Sequence, residues 1–349
     1  MKQPLLGIVS TVAVMAVALG FIHLFSFALF TGWVAYYLLC LIPIQIVTAV
    51  LWRCGQPAFA GKAAQPLKGI LLIAVALVVG VVVAYAYWQM AGAGISPPAP
   101  MLAMCTIVSV IITFWACIIW GGWPFTALIK NELAAGFVTL LAAYIVNYFL
   151  FRFFFDYGFM QGAPVYVASL DPHGLIPAWN ALSFYLSLLA GMFFLVNFDL
   201  WPLTTVAAIM KQPVLGIAWT AACFVLAAIA YNIGVGGMGM DPVVFMVRVP
   251  VPFVFGTIVV QNMMQGSLFS SLQQPMKGVA NVVTVIVVGQ VLAAIYRAMA
   301  PVITGDLHSG PPAYDMEIWT ASALLSVTFP FLIFYAAYFD FWPLQKSKS

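Results

Sequence analysis

The chain has 349 residues, 65% of them hydrophobic and only 6% charged, and its twelve basic and nine acidic side chains leave a formal charge of +3. An ordinary soluble domain carries about a quarter charged residues, so this composition excludes a water-soluble globule and, with it, a basic nucleic-acid surface. A hydrocarbon layer about 30 Å thick is crossed by roughly 20 apolar residues, and runs of that length recur from end to end, which predicts an all-α polytopic membrane protein forming a single membrane domain over 1–349.

In chain order, Met1-Lys2-Gln3-Pro4 leads into a long apolar stretch with no small-residue cleavage site, read as an uncleaved first span. Ten spans are predicted near 5–29, 32–52, 69–90, 101–121, 134–154, 179–200, 214–234, 243–263, 277–298 and 317–339. This places Lys2, Arg53, Lys62, Lys68, Lys130, Lys211, Lys277, Lys346 and Lys348 on one side. Arg152, Arg248 and Arg297 lie toward the other, with Asp156, Asp171, Asp241, Asp306, Asp315 and Glu317. Cytoplasmic loops carry the Lys/Arg excess, so both termini are expected in the cytoplasm, in a cell membrane of the bacterial inner-membrane kind.

A short phrase recurs before odd-numbered spans: Lys2-Gln3-Pro4, Gln65-Pro66-Leu67, Lys211-Gln212-Pro213 and Gln274-Pro275-Met276, each followed closely by glycine (Gly7, Gly69, Gly216, Gly278), with a weaker copy at Lys130-Asn131-Glu132 and Gly136. A second phrase follows even-numbered spans, as Trp123-Pro124-Phe125, Trp201-Pro202-Leu203 and Trp342-Pro343-Leu344; the fourth unit shows Gln261-Asn262-Met263-Met264-Gln265-Gly266 instead. The chain therefore reads as five tandem, similarly oriented helical hairpins, near 2–64, 65–129, 130–210, 211–273 and 274–349. Proline in a first helical turn, snorkelling lysine and interfacial tryptophan account for the phrases structurally; a gate of Gln-Pro turns is the functional alternative. Repeats that share one orientation differ from the inverted repeats of many secondary transporters and suggest hairpins around a central axis.

Ionisable groups inside spans are functional candidates because burying them is costly, yet no acid falls in the middle of a predicted span. Near the far ends of the odd spans stand His23, Gln89, Arg152, Asn232 and Arg297. If odd spans line the axis, these form an outer ring that favours anions; otherwise the arginines snorkel outward, Arg152 pairing with Asp156 one helical turn on. Span 8 contains Arg248-Val249-Pro250-Val251-Pro252, where two prolines remove backbone donors and break the helix. Broken backbone at membrane depth is tolerated where protein or a wet cavity covers it, which makes Arg248 the leading site candidate. Pro43 and Pro330 mark milder breaks in spans 2 and 10.

The five cysteines are scattered without ligand spacing and read as packing residues. A metal site from Asp171, His173, Asp306 and His308 is conceivable, but none is assigned, nor is any cofactor. No phosphate loop, dinucleotide fingerprint or nucleophile elbow is present, so an enzyme is not expected.

With ten spans as five tandem hairpins, cytoplasmic termini and a short proline-initiated turn such as Gln212-Pro213-Val214 before odd helices, the chain resembles the tellurite-resistance/dicarboxylate transporter family, which includes the slow anion channels. The resemblance implies a quasi-fivefold arrangement, a pore lined by odd helices and trimeric assembly; no functional residue is carried over. The expected function is a permease or channel for a small solute, an anion in the first instance, with its pathway between the odd-numbered helices and possible homo-oligomerisation. The alternative is a non-catalytic anchor or scaffold subunit bound to a protein partner.

Overall fold

In a computed structural model, residues 1–345 are described; Lys346 and Lys348 lie outside them. Ten helices are long and apolar enough to cross a membrane: Leu5–Ile22, Phe27–Leu51, Leu67–Met90, Pro100–Ile119, Glu132–Phe154, Ala178–Asn197, Val214–Gly237, Pro242–Met263, Met276–Ile303 and Asp315–Tyr338, called here spans 1 to 10. The protein is therefore an all-α polytopic membrane protein, and every predicted span has its counterpart. The largest difference lies at the first turn, where span 1 stops at Ile22 and span 2 begins at Phe27, because the apolar run through Phe30 carries no strong punctuation to mark the bend. Among the described residues the only paired strands are Phe155–Asp156 and Ile176–Pro177, β1 and β2, which run parallel between spans 5 and 6.

The chain divides into two compact units, one of Met1–Phe27 with the chain from Leu186 onward, the other Ala28–Tyr185, the division falling inside span 6. In the second unit span 2 packs against spans 3 and 4, and span 5 against spans 4 and 2. In the first unit span 1 packs against spans 8 and 10, and span 9 against spans 8 and 10.

Odd and even spans differ in kind. In the even spans 61 to 78% of residues are buried, against 22 to 44% in the odd spans. Each odd span buries one narrow stripe at three- and four-residue spacing: Gly69, Leu72, Ala76 and Gly80 in span 3, Gly216, Trp219, Cys223 and Ala227 in span 7, and Gly278, Asn281, Val285 and Gly289 in span 9. Such spacing follows one helical face, and small residues on it allow close helix contact where apolar burial gives no drive between helices in lipid. The remaining faces carry exposed Val, Ile and Phe, as at Val78, Val82, Phe149 and Val287.

The repeats share two joints. At the start of odd spans, the side-chain oxygen of Gln3, Gln65, Gln212 and Gln274 accepts from the backbone N–H of the glycine four residues on, Gly7, Gly69, Gly216 and Gly278, at 3.0 to 3.3 Å. This fills a donor that every helix N-terminus leaves open. In the weaker copy Asn131 caps Ala134 instead, at 3.0 Å. The Gln–Pro bonds of the four phrases and the Trp–Pro bonds of the three are all cis.

At the end of every even span two consecutive residues take left-handed backbone angles: Arg53-Cys54, Gly121-Gly122, Asp199-Leu200, Gln265-Gly266 and Asp340-Phe341, with φ between 46° and 73°. In four of them the second residue's N–H reaches back six positions, Cys54 to Thr48, Gly122 to Ala116, Gly266 to Val260 and Phe341 to Tyr335, at 2.8 to 3.1 Å. These bonds satisfy carbonyls that a helix end would otherwise strand. A π-helical turn precedes the same four pairs. The fourth unit, which lacks Trp-Pro in sequence, keeps this ending in structure.

The two joints meet within the units. A Cβ on Gly136 at the start of span 5 would lie 2.2 Å from the Trp52 ring nitrogen after span 2, and one on Gly278 of span 9 would lie 2.1 Å from the Phe198 ring after span 6. One on Gly7 of span 1 would lie 2.3 Å from the Met263 carbonyl ending span 8. Hydrogen bonds fasten the same places: Trp52 Nε1 donates to Glu132 O at 2.9 Å and Gln3 Nε2 to Met263 O at 2.9 Å. In each case an odd span docks on the end of the even span three positions earlier, span 1 being counted after span 10.

Candidate functional site

Span 8 is interrupted where its prolines fall. It consists of Pro242–Arg248 and Pro250–Thr257 with Val249 between them at φ −118° and ψ −75°, then a π turn to Met263. Pro252 lacks the N–H that would bond the carbonyl of Arg248. That carbonyl is taken up by Gln290 Nε2 of span 9 at 2.7 Å. The reach is short because the helices nearly touch: a Cβ on Gly289 would lie 2.0 Å from Pro252 O, and one on Gly256 2.3 Å from Val285 O. Pro43 sits inside the helical segment Ala35–Ile46, and Pro330 lies in the first turn of Phe329–Ile333, directly after a π segment over Ser322–Thr328.

His23, Gln89, Arg152, Asn232 and Arg248 are exposed and Arg297 is half-buried. The reason is register: Ile22, Phe151 and Tyr296 occupy the buried stripes, so His23, Arg152 and Arg297 stand one residue, about 100° of helix, beyond them. His23 Nδ1 lies 2.9 Å from Ile303 O, Asn232 Nδ2 donates to Ala228 O at 2.8 Å, and the Arg152 guanidinium lies 5.9 Å from the centre of the Tyr148 ring. No hydrogen bond or ion pair among the described residues joins any two of these six side chains. Arg152 makes no ion pair with Asp156 either, because the helix ends at Phe154 and Asp156 belongs to β1. The even spans are the more buried ones, while the odd spans keep exposed faces.

Among the mostly apolar residues that the even spans bury are many uncharged polar ones and one acid, Glu317. Gln45, Thr48, Thr106, Ser109, Thr113, Ser183, Ser187, Asn197, Thr257, Thr320, Ser326 and Thr328 are all buried. Several bond their own helix: Ser109 Oγ to Thr106 O and Thr113 Oγ1 to Ser109 O, both at 2.7 Å.

Two amide clusters stand out. In the first unit, Gln261 Nε2 donates to Asn197 Oδ1 at 2.8 Å, Asn197 Nδ2 donates to Thr257 Oγ1 at 3.1 Å, and Asn281 Nδ2 donates to Asn197 O at 3.1 Å. Next to it, Asp199 Oδ2 accepts from Lys277 Nζ at 2.7 Å and from Gln274 Nε2 at 2.9 Å. Partial burial raises the Asp199 carboxyl, but the Lys277 and Gln274 donors outweigh it and hold it below its ordinary value. In the second unit Asn147 Nδ2 donates to Tyr87 OH at 2.9 Å and to Cys105 O at 3.1 Å. The side-chain oxygens of Asn147 and Asn281 are buried and accept no hydrogen bond among the described residues. A search for charges overlooks these amides; the available signal was an asparagine on the small-residue stripe and another directly before Phe198-Asp199.

On the opposite side, Asp241 caps span 8, accepting from Val243 N at 2.9 Å and Val244 N at 3.2 Å, and its second oxygen accepts from Tyr314 OH at 2.8 Å. Burial and that carboxylate push the Tyr314 hydroxyl up to about 12, so it remains a donor. In the loop between spans 5 and 6, Asp156, Asp171 and His173 bring their ligand atoms within 4.8 Å of one another. The grouping differs from the set weighed but not assigned from the sequence, which joined Asp171 and His173 to Asp306 and His308.

Comparison with known protein families, with curated proteins and with solved structures gives no match.

Proposed function

We propose that the chain is a membrane permease or channel for a small solute, with no catalytic role. The observation that carries this reading is the make-up of the even-numbered spans: they are the most buried helices, they bury hydroxyl and amide side chains among apolar ones, and proline or π turns interrupt spans 2, 4, 8 and 10. Irregular backbone inside a membrane goes with protein cover or a water-lined route, and π turns recur at functional sites. An anionic solute is the version that draws on Arg152, Arg248 and Arg297. A neutral polar solute draws on the buried hydroxyls and amides, and we take it as the leading version because those groups lie deeper.

The test is solvent and solute flux into liposomes holding the purified protein, with glycerol, urea, formate and chloride as probes. Uptake of glycerol or urea above protein-free liposomes is the expected result, reduced in Asn197→Leu. Background rates for all four probes, with the reconstituted protein shown to be folded, overturn the reading. One observation favours a scaffold instead: many buried hydroxyls bond their own helix carbonyls, as a closed core requires. Mild-detergent purification that brings down a stoichiometric partner supports the scaffold.

Both termini are placed in the cytoplasm in this proposal, since the Gln-Pro turns and most lysines share a side. With the native cysteines replaced, an impermeant maleimide added to intact spheroplasts then labels Gly162→Cys and leaves Lys62→Cys unlabelled. The reverse pattern inverts the assignment.

A further inference from the structure

We propose that the loop between spans 5 and 6 holds a divalent transition-metal ion of the zinc class through Asp156, Asp171 and His173. The proposal is independent of the permease reading. The loop is built to hold these residues: β1 and β2 pair Phe155 with Ile176 and Asp156 with Pro177, Gly174 N donates to Phe155 O at 2.8 Å and Leu175 N to Phe153 O at 3.1 Å. A side chain on Gly174 would lie 2.5 Å from Phe155 N, so the segment directly after His173 is pressed against the Asp156 strand. Phe155 and Tyr157 are fully buried beneath. Asp171 Oδ1 accepts from Tyr157 N at 3.2 Å and His173 N at 2.9 Å, and Oδ2 accepts from Tyr166 OH at 3.0 Å. Carboxylates oriented by such outer partners are typical of metal ligands.

Two further observations point to a cation. The side chain of Asp171 has no exposed surface, yet no lysine or arginine pairs with it or with Asp156 among the described residues. A buried carboxylate is stabilised by a compensating charge as well as by hydrogen bonds, and among the described residues the basic group paired with Asp171 is His173, whose side chain is 64% exposed. The second is distance: His173 Nδ1 stands 3.4 Å from Asp171 Oδ2. That exceeds an ordinary N–H···O bond, and it matches the edge, about 3.4 Å, of a ligand tetrahedron with bonds of about 2.1 Å. One imidazole with two carboxylates suits zinc and its neighbours better than calcium or copper(I), and the exposed edge at His173 leaves room for water as the fourth ligand.

The experiment uses tag-free, full-length protein in detergent, stripped with EDTA and titrated with Zn²⁺ in competition with a chromophoric chelator. One equivalent bound per chain is expected, weakened about tenfold or more in His173→Ala and in Asp156→Ala and unchanged in His308→Ala. Zn²⁺ also raises the melting temperature of the native chain but not of His173→Ala, as binding to the folded state alone requires. His173 and Asp156 reach the loop surface, so these variants keep the fold that Asp171→Asn puts at risk. Absence of stoichiometric binding by the native chain, or equal affinity in His173→Ala, overturns the proposal.

Discussion

At the scale of single residues, the glycines that matter are those facing another backbone. A Cβ at Gly289 meets Pro252 O at 2.0 Å, whereas one at Gly20 meets nothing within 4 Å. Gly289→Val is therefore expected to destabilise the protein by about 1–3 kcal/mol, and Gly20→Ala to cause no loss; thermal unfolding in a fixed detergent distinguishes them. Asp199 gives a pH-dependent effect. Its folded pKa lies below its ordinary 3.8, so the Lys277 pair contributes stability above that value and loses it as pH falls through the lower folded value. Asp199 is more than half exposed, which limits the pair to about 0.2–1 kcal/mol. Asp199→Asn is expected to flatten the stability profile at that acid end, and a slope identical to the native protein's would refute the assignment. Residues of this kind were only partly legible beforehand. Gly278 and Lys277 were visible in the repeated phrase, but the Asn197–Gln261–Asn281 contacts join positions remote in sequence.

At the scale of the element, span 8 shows why a doubly proline-broken helix persists in a membrane: its stranded carbonyl is bonded by the next helix. Gln290→Ala removes that donor from Arg248 O, at an expected cost of about 1 kcal/mol. Pro252→Ala restores a backbone N–H four residues after Arg248. In a double-mutant cycle the cost of Gln290→Ala should then shrink on the Pro252→Ala background, and strictly additive costs would show that Gln290 acts elsewhere. The break itself was readable from the two prolines, while its compensation was not, because nothing in the local sequence assigns Gln290 to Arg248. The facing of the outer polar residues was illegible for a related reason. Counting residues from each Gln-Pro turn gives height along the helix, but facing depends on 100° steps, and His23, Arg152 and Arg297 each fall one step off the stripe.

At the scale of the whole molecule, hydrophobic length gave all ten spans, because in lipid the backbone must satisfy itself and the helix is the way to do so. Which spans are enclosed was not legible: odd and even runs are similarly apolar, and the difference lies in whether small residues form one stripe or buried side chains surround the helix. A chemical check follows from the same burial. All five cysteines, Cys40, Cys54, Cys105, Cys117 and Cys223, are buried thiols outside any disulfide. A membrane-permeant maleimide should label none of them in the folded protein and all five after SDS denaturation; rapid labelling of Cys40 or Cys105 in the native state would mean that the interior of their unit opens.

The paired left-handed residues that end every even span have an evolutionary consequence. A joint specified by dihedral angles can be built from Arg-Cys, Gly-Gly, Asp-Leu, Gln-Gly or Asp-Phe, so hairpins of this kind can exchange nearly every letter at it and keep the same turn. The fourth joint, with Gln-Gly and no Trp-Pro, keeps the same left-handed angles. Kinship among such hairpins, in this chain or any other, is to be sought in the order of backbone conformations, where it outlasts the erosion of sequence identity.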